Sequence, residues 1–215
     1  MAIGINENMG IISKIRTRYT AYQTRKLKRK FGFCGKNVEV RFHDICKPEH
    51  LFLYDNTNIF SGFTFISEEG CFIMKAGSGS AQGLTVITDN HTREAGKLLK
   101  DPELFYGRKG NVARDVIVEE DVWIGANVTL LPGAKIGRGC NIGAGSVIRY
   151  SVPPYAVVLG NPAKVVGFVF TPEEVVEHEK KLYKEEDRLS KELLEKNYNK
   201  FFVDRIKEIK DWTKL

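Results

Sequence analysis

Aliphatic residues recur at every sixth position through the middle of the chain, at Val112, Val118, Ile124, Leu130, Ile136, Ile142 and Ile148. Four places after each stands a second small or branched residue: Val116, Val122, Val128, Ala134, Cys140, Ser146 and Val152. A step of six fits neither the 3.6-residue turn of an α-helix nor the simple alternation of a half-buried strand, so the pattern is that of a repeat architecture. A six-residue unit can form one flat face of a coil, its first residue aimed at the coil axis and its fifth seated inside the next corner. Stacked coils pair strand over strand at about 4.8 Å and bury a continuous aliphatic column that no single repeat could bury. Turn-tolerant residues stand where the corners fall, as Gly125-Ala126-Asn127, Pro132-Gly133, Gly137-Arg138-Gly139 and Gly143-Ala144-Gly145. The fold class is therefore mainly β, a parallel β-helix built from hexapeptides.

Ahead of this run the same step persists but is interrupted. Leu53, Ile59 and Phe65 share one register and Met74, Ser80 and Val86 another, displaced by three around Glu69-Gly70-Cys71. Residues 92–111 abandon the pattern for a charged, Gly-containing stretch, which reads as a loop extruded from one corner, the kind of segment that carries function. The β-helix domain is assigned to residues 36–170, with terminal segments of different character on either side.

Residues 1–35 are strongly basic, with Lys14, Arg16, Arg18, Arg25, Lys26, Lys28, Arg29 and Lys30 crowded together without an acid among them. Ile11, Ile15, Tyr19 and Tyr22 recur there at helical spacing and Gly32 is a stop, so the segment predicts a basic amphipathic helix. Its apolar stripe is expected to pack on the end of the β-helix, with peripheral docking on an anionic membrane or a polyanion as the alternative. Nucleic acid is not expected, because no recognised motif accompanies the charge. In residues 171–215, Thr171-Pro172-Glu173-Glu174 is a capping box with Pro at the first helical position. The charged run through Leu182, Leu189 and Leu193 reads as one exposed amphipathic helix. A short second helix follows from about Lys200, with Phe202, Ile206 and Ile209 on one face and Trp212 near its end. These helices are expected to cap the open strand edges of the β-helix or to brace an oligomer.

At 215 residues with a net charge of +6, the chain suits one domain with appendages. It has no secretory signal-like stretch and no apolar run of membrane-spanning length, which points to the cytoplasm. Cys34, Cys46, Cys71 and Cys140 show no metal-type or disulfide-type spacing and read as reduced structural thiols.

The stretch from Asp121-Val122-Trp123-Ile124-Gly125-Ala126-Asn127-Val128 through Ile142-Gly143-Ala144-Gly145-Ser146 to Gly160-Asn161-Pro162-Ala163-Lys164 resembles the hexapeptide-repeat acyltransferases. Within them it is similar to the galactoside, maltose and capsular-sugar O-acetyltransferase branch. The resemblance implies a left-handed helix with three faces per coil, a homotrimer, acetyl-CoA lying in the groove between two subunits, and no required metal.

Phrases like Thr88-Asp89-Asn90-His91, ending just before an extended loop, hold the catalytic histidine of this family, so the resemblance gives His91 the role of general base. An imidazole suits the task because its ordinary pKa lies near neutrality. Asp89, Glu94 or a backbone carbonyl could orient it, and Asp89 and Asn90 are the candidate acceptor contacts. His43, His50 and His178 lack such context and read as structural. Trp123 precedes an inward Ile124 and should face outward, where the family has its acyl and pantetheine groove. The family's oxyanion donor maps to the backbone N–H of Ala126, its pantetheine passage to Ala144, and its phosphate contacts to Lys164 and, nearby, Arg149. Two departures stand out: Arg149-Tyr150 replaces a common Thr-Lys, and Gly167 falls where a second Arg is frequent.

The functional expectation is acetyl transfer to a hydroxyl of a sugar or polysaccharide precursor. A xenobiotic, antibiotic or amino-sugar N-acetyltransferase of the same fold is the alternative. A γ-type carbonic anhydrase would need three converging histidines and the repeat region offers only His91. A non-catalytic scaffold would have no use for His91, Trp123 and the groove glycines together.

Overall fold

The computed structural model describes residues 18–213 apart from 20, 42 and 103–112. Ile11, Lys14, Ile15, Arg16, Val112 and the distal part of the 92–111 loop lie outside the described residues. Three parallel sheets enclose the core. Face A consists of β1 (Phe33–Cys34), β4 (Leu51–Leu53), β7 (Phe72–Met74), β10 (Val116–Val118), β13 (Lys135–Ile136) and β16 (Ser151–Val152). Face B stacks β2 (Glu39–Val40), β5 (Asn58–Ile59), β8 (Gly79–Ser80), β11 (Trp123–Ile124), β14 (Asn141–Ile142) and β17 (Ala156–Leu159). Face C stacks β3 (His43–Ile45), β6 (Phe63–Ile66), β9 (Thr85–Ile87), β12 (Thr129–Leu130) and β15 (Val147–Ile148). The chain visits A, B and C in turn, and β1 begins inside the segment assigned to the basic N-terminus.

The six-step column is the core. On face A, Leu53, Met74, Val118, Ile136 and Val152 stand in register, and on face C so do Phe65, Val86, Leu130 and Ile148. All of these are at most 4% exposed. The step from Leu53 to Met74 is 21 residues, which accommodates the three-residue displacement seen in the sequence. One assignment changes: the step from Ile136 to Val152 is 16 residues, because only Arg149 and Tyr150 separate β15 from β16. Val152 therefore lies in the inward strand column and not at a corner.

The A-to-B corners require a left-handed residue in each coil, supplied by Asn37 (φ 54°), Asn56 (φ 57°), Gly77 (φ 74°), Asp121 (φ 58°), Gly139 (φ 68°) and Tyr155 (φ 60°). Gly139 has a further reason to be glycine, since a Cβ there would come within 2.4 Å of the Tyr155 ring.

The described part of the N-terminal segment is helical over 21–28, but Tyr19 and Tyr22 are 62% and 60% exposed. Leu27 and Phe31, not the tyrosine stripe, pack on the core. At the other end β18 (Lys164–Phe168) turns back antiparallel on β17. The single long helix expected after Thr171 is instead two, α1 (Pro172–Leu182) and α2 (Lys191–Phe201), followed by α3 (Ile206–Thr213). The break follows from burial. Val175, Glu179 and Leu194 are buried whereas Leu182 and Leu193 are exposed, and Ser190 caps α2 by accepting a hydrogen bond from Leu193 N. The turn at Tyr183 lets the Leu189 N–H reach the Glu179 carboxylate at 2.6 Å. α2 packs on β18, and no helix among the described residues is long and apolar enough to cross a membrane.

Candidate active site

His91 follows β9 at the C-to-A corner, where the extruded loop leaves the coil stack, and it is exposed. Beside it lies a cavity of about 180 Å³ lined by Ile66, Glu68, Asp89, Asn90 and His91. The Asp89 carboxylate accepts hydrogen bonds from the Thr88 hydroxyl at 2.6 Å and from the backbone N–H groups of Glu68 and Glu69 at 2.9 and 3.2 Å. Burial works against its charged form, but the Thr88 hydroxyl and the amides of Glu68, Glu69 and Gly70 prevail and hold its pKa below the usual carboxylate range. Asp89 thus clasps the corner that carries the three-residue insertion, fixing the cavity wall opposite His91. Glu94, the other acidic neighbour, pairs with Lys97 at 3.2 Å. On the same edge, Asn90, Arg114, Leu131, Pro132 and Arg149 line a second cavity of about 350 Å³.

Trp123 opens β11 on face B, points outward as strand parity requires, and is 47% exposed. Gly79 lies in register on one side of it and Asn141 on the other. Ala126 and Ala144 stand at successive B-to-C corners, whose backbones are linked by the Gly145 N–H donating to the Ala126 carbonyl at 2.8 Å. Neither the Ala126 nor the Ala144 N–H donates a hydrogen bond to any described residue. Lys164, beyond the last of these corners, bonds Glu208 at 3.2 Å and sits 5.8 Å from the centroid of the Trp212 ring in α3.

The expected site residues therefore form two groups. Asp89, Asn90, His91 and Arg149 lie on the C-to-A edge; Trp123, Ala126, Ala144 and Lys164 lie on face B and its far edge. Face C separates the two groups. His178, read from sequence as structural, lies over face B beside Trp123. No spacing signal could have revealed that, because it depends on which way α1 runs across the coils.

Residues 115–150 match the bacterial transferase hexapeptide (six repeats) family. A protein of Lysinibacillus sphaericus named as a probable macrolide acetyltransferase is 33% identical over 140 residues, covering 65% of this chain and 75% of that protein. The chain belongs to the hexapeptide-repeat acetyltransferases. Solved structures agree with its fold, the left-handed parallel β-helix of these enzymes. A maltose O-acetyltransferase from Clostridium difficile 630 superposes with a TM-score of 0.60 at 24% identity, covering 69% of this chain and 76% of that one. A hexapeptide-repeat acetyltransferase from Vibrio cholerae, solved with acetyl coenzyme A, gives 0.60 at 20% identity over 70% and 78% of the two chains. As a hexapeptide-repeat acetyltransferase, the protein carries out acetyl transfer.

Proposed function

We propose that the protein transfers an acetyl group from acetyl-CoA to a hydroxyl of a sugar or polysaccharide precursor, at a site shared between two subunits of a homotrimer. The observation that carries this reading is the separation of the two groups. His91 lies on one edge of the coil stack, while Trp123 and the N–H groups of Ala126 and Ala144, which bond no described residue, lie on another face and its edge. A neighbouring copy related by a rotation about an axis along the stack supplies the missing half, as heterologous ring contacts do. His91 takes the proton of the acceptor hydroxyl as its oxygen attacks the thioester carbonyl, forming the new C–O bond. The Ala126 N–H receives the developing oxyanion. Collapse breaks the C–S bond, and the imidazolium returns its proton to the departing CoA sulfur.

Mixing two inactive variants tests the shared site. His91→Ala and Trp123→Ala proteins, unfolded together and reassembled at equal ratio, should recover activity at about one quarter of the sites, those that combine an intact half from each parent. No recovery, with trimers confirmed by light scattering, overturns sharing. A monomer mass with full activity overturns the trimer itself.

Lys164 is proposed to meet a CoA phosphate. Lys164→Glu should raise KM for acetyl-CoA at least about tenfold while leaving S-acetylpantetheine little affected, since a charge-assisted contact is worth about 1.5–3 kcal/mol. Equal penalties on both donors would assign Lys164 to the packing of α3. A second reading, acetylation of a hydroxylated antibiotic, is favoured by the Lysinibacillus relative. Acetyl-CoA consumption with macrolides and with saccharides as acceptors separates the two.

A further inference from the structure

A recess of about 340 Å³ opens on face B along the A-to-B corners, away from the Ala126 and Ala144 edge. Its walls include Asn58, Asp121, Trp123, Asn141, Tyr155 and His178. Gly79 has no side chain, and the Asn58 amide lies over it: a Cβ there would fall 2.1 Å from Asn58 Oδ1. The roof comes from the C-terminal segment. His178 projects from α1 with its ring centroid 5.1 Å from Phe170 and 6.0 Å, edge-on, from Tyr155.

Two polar atoms of this recess have no partner. His178 Nε2 and Asn58 Oδ1 are both buried and make no hydrogen bond. Buried polar groups are paired in the great majority of cases, and an unpaired one calls for an explanation. Packing on Phe170 and Tyr155 fixes the imidazole plane and leaves Nε2 without a protein partner. The Trp123 indole supplies an apolar wall of the width of a sugar ring, with the Asn141 amide adjacent in the ladder. Among the described residues no lysine or arginine lines the recess and Asp121 is its one carboxylate, so a phosphate or carboxylate would find no counter-ion among them. The volume lies at the lower end of small-molecule sites.

We infer that this recess is the acceptor subsite for an uncharged, polyhydroxylated ring, a single pyranose, with His178 and Asn58 bonding its hydroxyls and Trp123 packing on its C–H face. The inference rests on the proposed sugar acetyl transfer, deepening it by assigning the acceptor's place, and it makes the C-terminal segment a specificity element rather than only a cap. Trp123 is common to the recess and to the proposed donor track, so an acceptor ring held here lies alongside the thioester.

The test is equilibrium binding without donor. Methyl β-galactoside and maltose are titrated against the intact protein, read by tryptophan fluorescence and by ligand-observed NMR, with chloramphenicol as a non-carbohydrate comparator. At least one saccharide is expected to bind and to lose affinity tenfold or more in His178→Phe, which keeps the ring stacking, and in Asn58→Leu. Each variant should bind acetyl-CoA within twofold of wild type, which establishes that it is folded. Failure of both saccharides to bind wild type, equal binding to the variants, or binding of chloramphenicol alone overturns the subsite. Saccharide binding that never leads to acetylation overturns the proposed function and leaves the subsite standing.

Discussion

His91→Ala is expected to lower kcat for acetyl transfer by roughly 10²–10⁴ while acetyl-CoA affinity stays within a few-fold of wild type. The split between rate and affinity follows from position. His91 stands at the C-to-A corner of one subunit, whereas the residues proposed to line the donor track stand on face B and its far edge. Removing the imidazole takes away a proton acceptor without altering any proposed donor contact, so kcat and kcat/KM should fall together. Steady-state kinetics over a range of acetyl-CoA, with donor affinity from calorimetry, supply both readings. A near-normal kcat would transfer the base to another group, and a collapse of donor affinity would make His91 part of the donor wall. His91→Gln should behave like alanine, because an amide can hydrogen-bond the acceptor hydroxyl but cannot take its proton.

Most of the architecture was legible because the β-helix is a local code. Inward and outward positions repeat every six residues, so Ile124, Leu130, Ile136, Ile142 and Ile148 announced their burial and Trp123 its exposure by parity alone. The code failed where coil length changed. Val152 comes two residues early because the C-to-A corner after Ile148 is short, and nothing in its hydrophobicity distinguishes a corner position from a strand position. It failed again in the C-terminal segment, where the apolar residues are sparse. Leu182 and Leu193 looked like a helical stripe, but the buried members are Val175, Glu179 and Leu194, and a buried glutamate carries no hydrophobic signal. The Ser190 cap was readable and would have divided the run into two helices.

Site residues followed the same rule. His91, Trp123, Ala126 and Ala144 were reached through motifs tied to the repeat. His178, a site residue only under the proposed subsite, was not, because its place beside Trp123 comes from long-range docking of α1. Asp89 was read as an acceptor contact or an orienter of His91. Its bonds to Thr88 and to the Glu68 and Glu69 amides also brace the corner that carries the three-residue insertion, a contact that no motif announced.

That docking depends on one buried carboxylate, and its removal should be the most destabilising single change outside the aliphatic column. The Glu179 side chain is 1% exposed. It takes hydrogen bonds from Arg138 Nη1 at 3.1 Å, from the Tyr155 hydroxyl at 3.0 Å and from the Leu189 N–H at 2.6 Å. Arg138, on the corner after β13, also bonds Glu120 at 3.3 Å and lies 4.0 Å over the Tyr183 ring. One carboxylate therefore joins the coil stack, the end of α1 and the turn into α2. Glu179→Ala leaves the guanidinium, the phenol and an amide facing a void, and breaking a buried pair from one side costs about 3–5 kcal/mol. Arg138 keeps Glu120 as a partner, which sets the expectation at the lower end of that range. Glu179→Gln retains one acceptor oxygen, enough for the Tyr155 hydroxyl and Arg138 on one side or for the Leu189 N–H on the other but not for both, and should cost less than alanine. Because two of the three lost bonds tie the C-terminal segment to the coils and the third ties α1 to the turn into α2, hydrogen exchange should accelerate first in α1 and α2 while β10 through β15 stay protected. Saccharide binding in the recess under His178 should weaken in step with that exchange. Uniform acceleration across the core strands would instead make the C-terminal segment and the β-helix one cooperative unit, with no separable roof.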